Sequence, residues 1–498
     1  MTPVATRRDA DVIVAGGGPA GSTLAWDLAR RGVRVTVLER TRFPREKVCG
    51  DYVEPRGLRI LESMGCLERL EARGPLPISH SATFVDWQCC YRGEIPFYGL
   101  GGGLLPHGYI IARDELDDEM LATAAQAGAT VHQETSVTAV AAGPAGVEVE
   151  ARRGAKTVRY RAKLIAGADG VNSIVGKSQG LTVDDPRHTA VAQRGYATVD
   201  GDVGEAVFCF DEDLFPGYGW MFPLAGGRVN LGVGILSETR RRLDVHVPEL
   251  FAEFVERLRQ QHPRGASLEL CGPPIGGIVK TYGAAGPNHF DGGVLVGDAG
   301  CFVDPMTGEG ITPAMESALL ASPVLRAALD AGRFDAGRLS AYETAFRAYF
   351  DPAMTFLDLC AATLRNRHLA RPWLKALARG CELAAADPGF ARTGGSYFGG
   401  IDVQPFGILG QIWVRIVQDL AFAWPRFLRG AGGRGRPAGT TVGDLVEWQA
   451  AWTRSLVADP LWHARWTADV QRKWLRVLST TGRAGGDPRF AGVVDGYY

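Results

Sequence analysis

Glycines at positions 16, 18 and 21 stand between the apolar run Val12-Ile13-Val14-Ala15 and the helix-compatible stretch Ser22 to Arg31. That is a strand-to-helix turn with the spacing a dinucleotide pyrophosphate requires. The first glycine permits the tight turn, the second lets backbone approach phosphate, and the third, beside Ala20, lets helix pack on strand. The helix N-terminus then faces the anion. Glu39 lies eighteen residues after Gly21, with Arg40 behind it, at the end of Val33 to Leu38. A carboxylate there accepts from a ribose 2′-hydroxyl, which favours FAD or NAD over NADP. Far downstream, Gly297-Asp298-Ala299 with Asp304-Pro305 points to the same cofactor.

The elements that must position these residues alternate along the chain. Residues 11–40 read as strand, turn, helix and strand, the opening of an α/β, doubly wound parallel sheet. Arg113 begins an amphipathic helix to about Gln126, Gly128 to Val131 returns as a strand, and Lys163 to Gly170 is another buried strand. Short alternating runs follow: Ala192 to Val199, Glu205 to Phe210, Tyr218 to Leu224 and Val229 to Ile235. These suit a mostly antiparallel sheet inserted into the nucleotide domain. Val294 to Asp298 restores the parallel sheet, and Thr312 to Ala331 is a long helix. The organisation expected is a nucleotide domain in three parts (8–80, 111–185 and 286–350). A substrate domain comes from 81–110 and 186–285, and a helical, Trp-rich region from 351–498.

Composition sets outer bounds. A chain of 498 residues exceeds one core, and a net charge of −1 gives no electrostatic reason to expect nucleic acid. Nine cysteines without CxxC and nine histidines without HxxxH give no metal site by spacing. The charged N-terminus carries no visible signal peptide, so a cytoplasmic protein with reduced thiols is expected.

Three marks in order, the glycine fingerprint at 16–21, Asp169-Gly170, and Gly297-Asp298 followed by Pro305, resemble the aromatic hydroxylase superfamily of flavoproteins, with its glutathione-reductase-like FAD domain. Two further stretches resemble, within it, the geranylgeranyl reductase family. One is Phe43-Pro44-Arg45-Glu46-Lys47-Val48-Cys49-Gly50-Asp51. The other is Tyr218-Gly219-Trp220-Met221-Phe222-Pro223, with Gly232-Val233-Gly234 after it. The resemblance covers residues 10–330. It implies that Lys47, Cys49 and Gly50 pass beside the isoalloxazine and that Arg113 lies near the ribityl chain or pyrophosphate. It further implies that Tyr218, Trp220, Phe222, Pro223, Gly232 and Gly234 line a hydrophobic substrate cavity.

The chemistry of a reduced flavin asks for these groups. Negative charge at N1/O2 would be met by free N–H groups where Gly308-Glu309-Gly310-Ile311-Thr312 opens the long helix, and Asp298 would bond the ribityl chain. Reducing an alkene takes a hydride from flavin N5 and a proton from elsewhere. Cys49 is the candidate donor, since an ordinary thiol with a pKa of about 8.5 stays protonated at neutral pH; the bland alternative is a space-filling cysteine. The expected function is FAD-dependent reduction of carbon–carbon double bonds in a prenyl, quinone or polyketide chain. Electrons would come from NAD(P)H or from a separate flavin reductase or ferredoxin, because no second dinucleotide fingerprint occurs. A monooxygenase of aromatic or polyketide substrates is the alternative reading. A halogenase ranks third: residues 51–80 contain no lysine and Phe222 stands where its second tryptophan would be.

Eight of the eleven tryptophans lie between Trp373 and Trp474. Arg415 and Asp419 interrupt the most apolar stretch, so no bilayer-crossing segment is expected. Ile412 to Val417, Leu420 to Trp424 and the arginines at 426, 429, 434 and 436 instead suit peripheral membrane contact or a helical core. Gly430 to Gly439 reads as a flexible loop.

Overall fold

The computed structural model describes residues 6–8, 10–95, 104–182, 184–389, 391 and 442–481. Its central sheet runs in the order His289–Phe290, Gly293–Leu295, Leu164–Gly167, Val12–Ala15, Val35–Leu38 and Thr130–His132. All neighbours are parallel except the first pair. Val12–Ala15, Val35–Leu38 and Leu164–Gly167 are buried at every position, which is why they read as unbroken apolar runs rather than alternating ones.

The two faces of this sheet are covered differently. Val12, Val14, Val37 and Ala166 pack against helices Pro19–Arg30, Arg113–Gln126, Ile311–Ala331 and Ala336–Leu364 through Leu24, Met120, Leu319 and Phe346. Ile13, Leu38 and Ile165 pack instead on Val140, Val149 and Tyr160. These belong to an antiparallel meander of Thr135–Gly143, Gly146–Arg153 and Lys156–Ala162. The doubly wound arrangement expected from the sequence is therefore replaced by helices on one face and a meander on the other. The meander alternates inward apolar residues (Val147, Val149, Ala151) with outward polar ones, a weaker local signal than a buried run.

A second, mostly antiparallel sheet contains Thr189–Thr198, Arg228–Leu236, Tyr218–Pro223, Ala206–Phe210, His80–Val85 and Gln88–Glu94 in adjacent order. One face holds Met221, Leu231 and Val233 against Phe251, Phe254 and Leu258 of helix Val247–Gln261. A Cβ at Gly219 would come within 2.3 Å of Phe254, so glycine there sets how closely that helix lies. The opposite face carries Trp220, Phe222 and Leu224, packed with Ile78, Ile110 and Tyr52.

Helices Ala370–Ala386, Val442–Ala458 and Pro460–Thr481 complete the described chain. Trp373 meets Trp448 edge-on at 5.1 Å, and Trp466 donates to the Ala362 carbonyl at 2.8 Å. Trp373, Trp448, Trp462 and Trp466 thus contribute to a core, while Trp452 and Trp474 are exposed. Among the described residues no helix is long and apolar enough to cross a membrane. Residues 412–439, with the segments singled out above, lie outside the described residues.

The last helix is held by ions as well. Asp358 pairs with Lys473 and with His188 at 3.3 Å, while Arg365 pairs with Asp469 and with Glu238 at 3.0 Å. Burial alone would raise the Asp358 carboxyl, but His188 and Lys473 bring it down to about 2. Burial also lowers the Lys473 ammonium in spite of its partner, so the pair is worth less than Asp358 alone suggests. Asp358→Asn leaves the buried Lys473 ammonium facing a neutral amide and is expected to lower unfolding free energy by about 3 kcal/mol at neutral pH, measured by urea denaturation. The folded pKa lies below the ~3.9 of an unfolded aspartate. The difference is therefore present above about pH 4 and closes as the pH falls towards 2.

Candidate functional site

The fingerprint turn separates what the protein needs from what a ligand needs. Gly16 has φ +102 and a Cβ there would stand 2.3 Å from the Ala168 carbonyl oxygen; at Gly21 it would stand 1.9 Å from that of Gly16. Both are fixed by the fold. Gly18 is not: its φ is −74, and the nearest atom to an added Cβ is the far end of Arg45 at 3.5 Å. At Gly297, φ +60, a Cβ would meet that of Ala20 at 2.8 Å, so the downstream motif packs directly on the fingerprint helix.

Glu39 is buried and already takes three protein donors: Gly17 N at 2.8 Å on Oε2, with Thr41 N at 2.8 Å and Thr41 Oγ1 at 2.6 Å on Oε1. It clamps the turns after two neighbouring strands. Arg40 is exposed. Asp169 accepts from Ser173 Oγ and Ile174 N, both at 2.6 Å, and so caps the short helix Ile174–Ser178.

Across the sheet edge, Lys47 Nζ lies 3.0 Å from Asp298 Oδ2. That contact joins two singled-out stretches 251 residues apart. Pro305 is buried, and the preceding Asp304 holds the turn by accepting from Met306 N and Thr307 N at 2.6 and 3.0 Å. Gly308, φ +71, has nothing within 4 Å of an added Cβ, whereas a Cβ at Gly310 would lie 3.0 Å from Val303. The helix that follows does not begin with free N–H groups as expected from the sequence. Glu309 folds back over it, and Oε1 accepts from Ile311 N at 2.8 Å and Thr312 N at 2.9 Å. Burial, with Glu316 and Asp304 nearby, pushes the Glu309 carboxyl up to about 8. The helix end is thus covered by the protein's own carboxyl.

Cys49 sits among charges. Arg113, which the sequence could have left on the surface, is only 4% exposed and grips Asp117 by two bonds of 2.8 Å. Arg45 holds the same carboxylate at 2.9 Å. Burial pushes the Cys49 thiol above its ordinary value, while the Arg113 guanidinium and the Asp51 N–H face the sulfur and favour its anion.

Three residues here, Arg194, Tyr196 and Asn230, were not picked out from the sequence, and Asp51 was seen only as the end of the cysteine stretch. Asp51, wholly buried, accepts on Oδ2 from Tyr196 OH at 2.6 Å and Asn230 Nδ2 at 2.7 Å. Asn230 also donates to the Cys49 carbonyl at 2.9 Å and accepts from Trp220 Nε1 at 2.9 Å. Arg194 donates to the Lys47 carbonyl at 2.9 Å and stacks 4.1 Å from the Tyr196 ring. A signal existed for one of them: Asn230 is a polar residue inside the apolar run Val229 to Leu236.

Tyr218, Trp220 and Phe222 face the same side, as their alternation requires. Trp220 and Phe222 are buried and Tyr218 is half-buried, donating to the Thr307 carbonyl. Trp220 lies across the neighbouring strand, where a Cβ at Gly232 would stand 2.3 Å from its ring and one at Gly234 4.0 Å away. Gly232 therefore has a packing role, while Pro223 is buried at the strand's end. Gly50 abuts Phe222, with an added Cβ at 3.1 Å. The cysteine stretch and the aromatic sheet are thus pressed together.

Open backbone at Gly18 beside Arg45 and at Gly308, with Asp298 3.5 Å from an added Cβ at Gly310 and paired to Lys47, fits a dinucleotide with an anionic middle. A family model for an FAD binding domain matches residues 9–206. A menaquinone reductase of Mycolicibacterium smegmatis is 33% identical over 328 residues, 64% of this chain and 76% of that protein. A digeranylgeranylglycerophospholipid reductase of Methanococcoides burtonii is 30% identical over 349 residues, 68% of this chain and 80% of that protein. Among solved structures, a geranylgeranyl bacteriochlorophyll reductase-like protein of Thermoplasma acidophilum superposes with a TM-score of 0.64 at 23% identity, covering 76% of this chain and 92% of that one. Flavin-dependent halogenases share the fold at similar scores. Identity of this extent across three quarters of the curated reductases makes the chain a member of the geranylgeranyl reductase family of FAD-dependent oxidoreductases.

Proposed function

We propose that the enzyme reduces carbon–carbon double bonds in a long hydrophobic chain, such as the prenyl tail of a quinone or lipid, with Cys49 as proton donor. The observation that carries this reading is the setting of the Cys49 thiol. Burial favours the protonated thiol before reaction, and Arg113 with the Asp51 N–H favours the thiolate left after it. Asp117 and Arg45 keep Arg113 in place. The names of the curated relatives, which speak of a menaquinone and a digeranylgeranyl lipid, support a substrate of that class.

When bound and reduced, FAD supplies the hydride. The protein's own residues do the rest. Gly18 and Gly308 leave room for the cofactor, and Lys47 and Asp298 orient its polar middle. The aromatic face around Tyr218 and Phe222 offers an apolar surface that excludes water from the reacting carbons. An oxygenase has no need of a protonated thiol between two N–H donors. A halogenase of the kind considered above would need a lysine that residues 51–80 lack.

Cys49→Ala and Cys49→Ser are expected to keep FAD and to lose about 10²-fold in turnover of a prenylated quinone, followed by mass change of the product; wild-type turnover in both would remove Cys49 from the reaction. Gly18→Val should leave the thermal unfolding of the FAD-free protein unchanged and abolish the yellow colour of the purified enzyme. Gly21→Val, which collides with backbone, should lower the melting temperature as well, and equal behaviour of the two would contradict the division of roles between these glycines.

A further inference from the structure

A thiol that gives up a proton in every cycle must recover it, and Cys49 is half-buried. Building on the reading of Cys49 as donor, we propose that Asp51 returns the proton to Cys49 after each reduction and that Tyr196 links Asp51 to solvent. Several independent features meet at this residue. Asp51 has a left-handed backbone, φ +64, a conformation aspartate tolerates better than most side chains. The same residue thereby turns its N–H to the sulfur and its carboxyl into the adjoining buried space. Oδ2 is fixed by Tyr196 and Asn230, but Oδ1 is buried with no hydrogen-bond partner. An unpartnered oxygen on a wholly buried carboxylate is costly. A proton on that oxygen removes the charge and supplies a donor two residues from the thiol.

The transfer balances without any oxidant or reductant. The Asp51 O–H bond breaks, the Cys49 S–H bond forms, and the negative charge moves from sulfur to carboxylate. The direction is downhill, because burial raises the thiol above its ordinary range and brings the carboxyl only to about 6. The carboxylate then takes the hydroxyl proton of Tyr196 on Oδ2 as that hydroxyl gains one from water, and a half-turn of the carboxyl about Cβ–Cγ presents the new O–H to the sulfur. Tyr196 is half-buried rather than enclosed, and its ring lies between Arg194 at 4.1 Å and Arg228 at 5.4 Å. The charged and titratable groups facing Asp51 are Arg194 and Tyr196 from one strand, Arg113 from the helix and Cys49 itself; Arg194 and Arg113 favour the carboxylate and burial opposes it.

The test compares wild type, Asp51→Asn, Tyr196→Phe and Cys49→Ala as FAD-loaded proteins. Each is reduced with dithionite, which is kept in excess to re-reduce the flavin, and mixed under nitrogen with a menaquinone bearing an unsaturated tail. Wild-type steady-state turnover is expected to fall as the pH rises through about 6. Asp51→Asn should lose that limb and slow steady-state turnover by on the order of 10²-fold, while the first turnover, which uses a thiol already protonated, is spared. Tyr196→Phe removes a bond that favours the carboxylate and should move the midpoint to higher pH. Alkylation of Cys49 by iodoacetamide, read by peptide mass spectrometry without substrate, supplies a second readout. The negative charge of Asp51 opposes the thiolate, so Asp51→Asn should shift the alkylation profile to lower pH. Unchanged pH dependence in both Asp51→Asn and Tyr196→Phe, with Cys49→Ala slow, overturns the relay and leaves the donor reading standing. Wild-type turnover in Cys49→Ala overturns both. Should Asp51→Asn not hold FAD, Tyr196→Phe decides alone through the position of its midpoint.

Discussion

The buried side-chain amide of Asn230 is the join on which the geometry of the site depends. It is the third residue of strand Arg228–Leu236 and has no exposure. One atom donates to the Cys49 carbonyl and the Asp51 carboxylate, and the other accepts from the Trp220 indole. A buried amide satisfied in this way fixes a single arrangement, because any displacement leaves polar groups without partners. It locks the cysteine stretch of the cofactor domain to the aromatic strand of the second sheet. Arg194, donating to the Lys47 carbonyl, makes the same join a few residues earlier.

What could be read from the sequence was local. The glycine turn, the helix from Arg113 to Gln126 and the strand Tyr218–Pro223 follow from spacing and alternation within a few residues, and the structure has them. The polar network around Asp51 could not be read, since its members at 49–51, 194–196, 220 and 230 meet only when two sheets are brought together. The meander over 135–162 escaped because half of its residues face solvent. Glu309 is the sharpest difference. Glycines on both sides pointed to an open helix end, and the freedom they give lets the carboxylate fold back and close it. Gly232 also changed meaning, from cavity wall to a space filled by Trp220.

The acids of the site divide by the donors they meet. Asp169 and Asp304 end turns by accepting backbone N–H groups, and Glu39 clamps two of them. Asp51 and Glu309 each keep one buried oxygen without a partner, and burial raises both. Burial raises Asp169 and Asp304 as well, against the backbone N–H groups they accept. Reductases and halogenases share the surrounding fold, so the reaction has to be argued from these side chains.

The most direct measurement is stopped-flow absorbance of the dithionite-reduced, FAD-loaded enzyme, mixed with a prenylated quinone under nitrogen and, separately, with air-saturated buffer alone. Reduction of double bonds predicts fast, substrate-dependent reoxidation in the absence of oxygen, with a product heavier by two hydrogens for each bond reduced. No anaerobic reaction, with reoxidation by oxygen accelerated by substrate and an oxygen atom in the product, would contradict it.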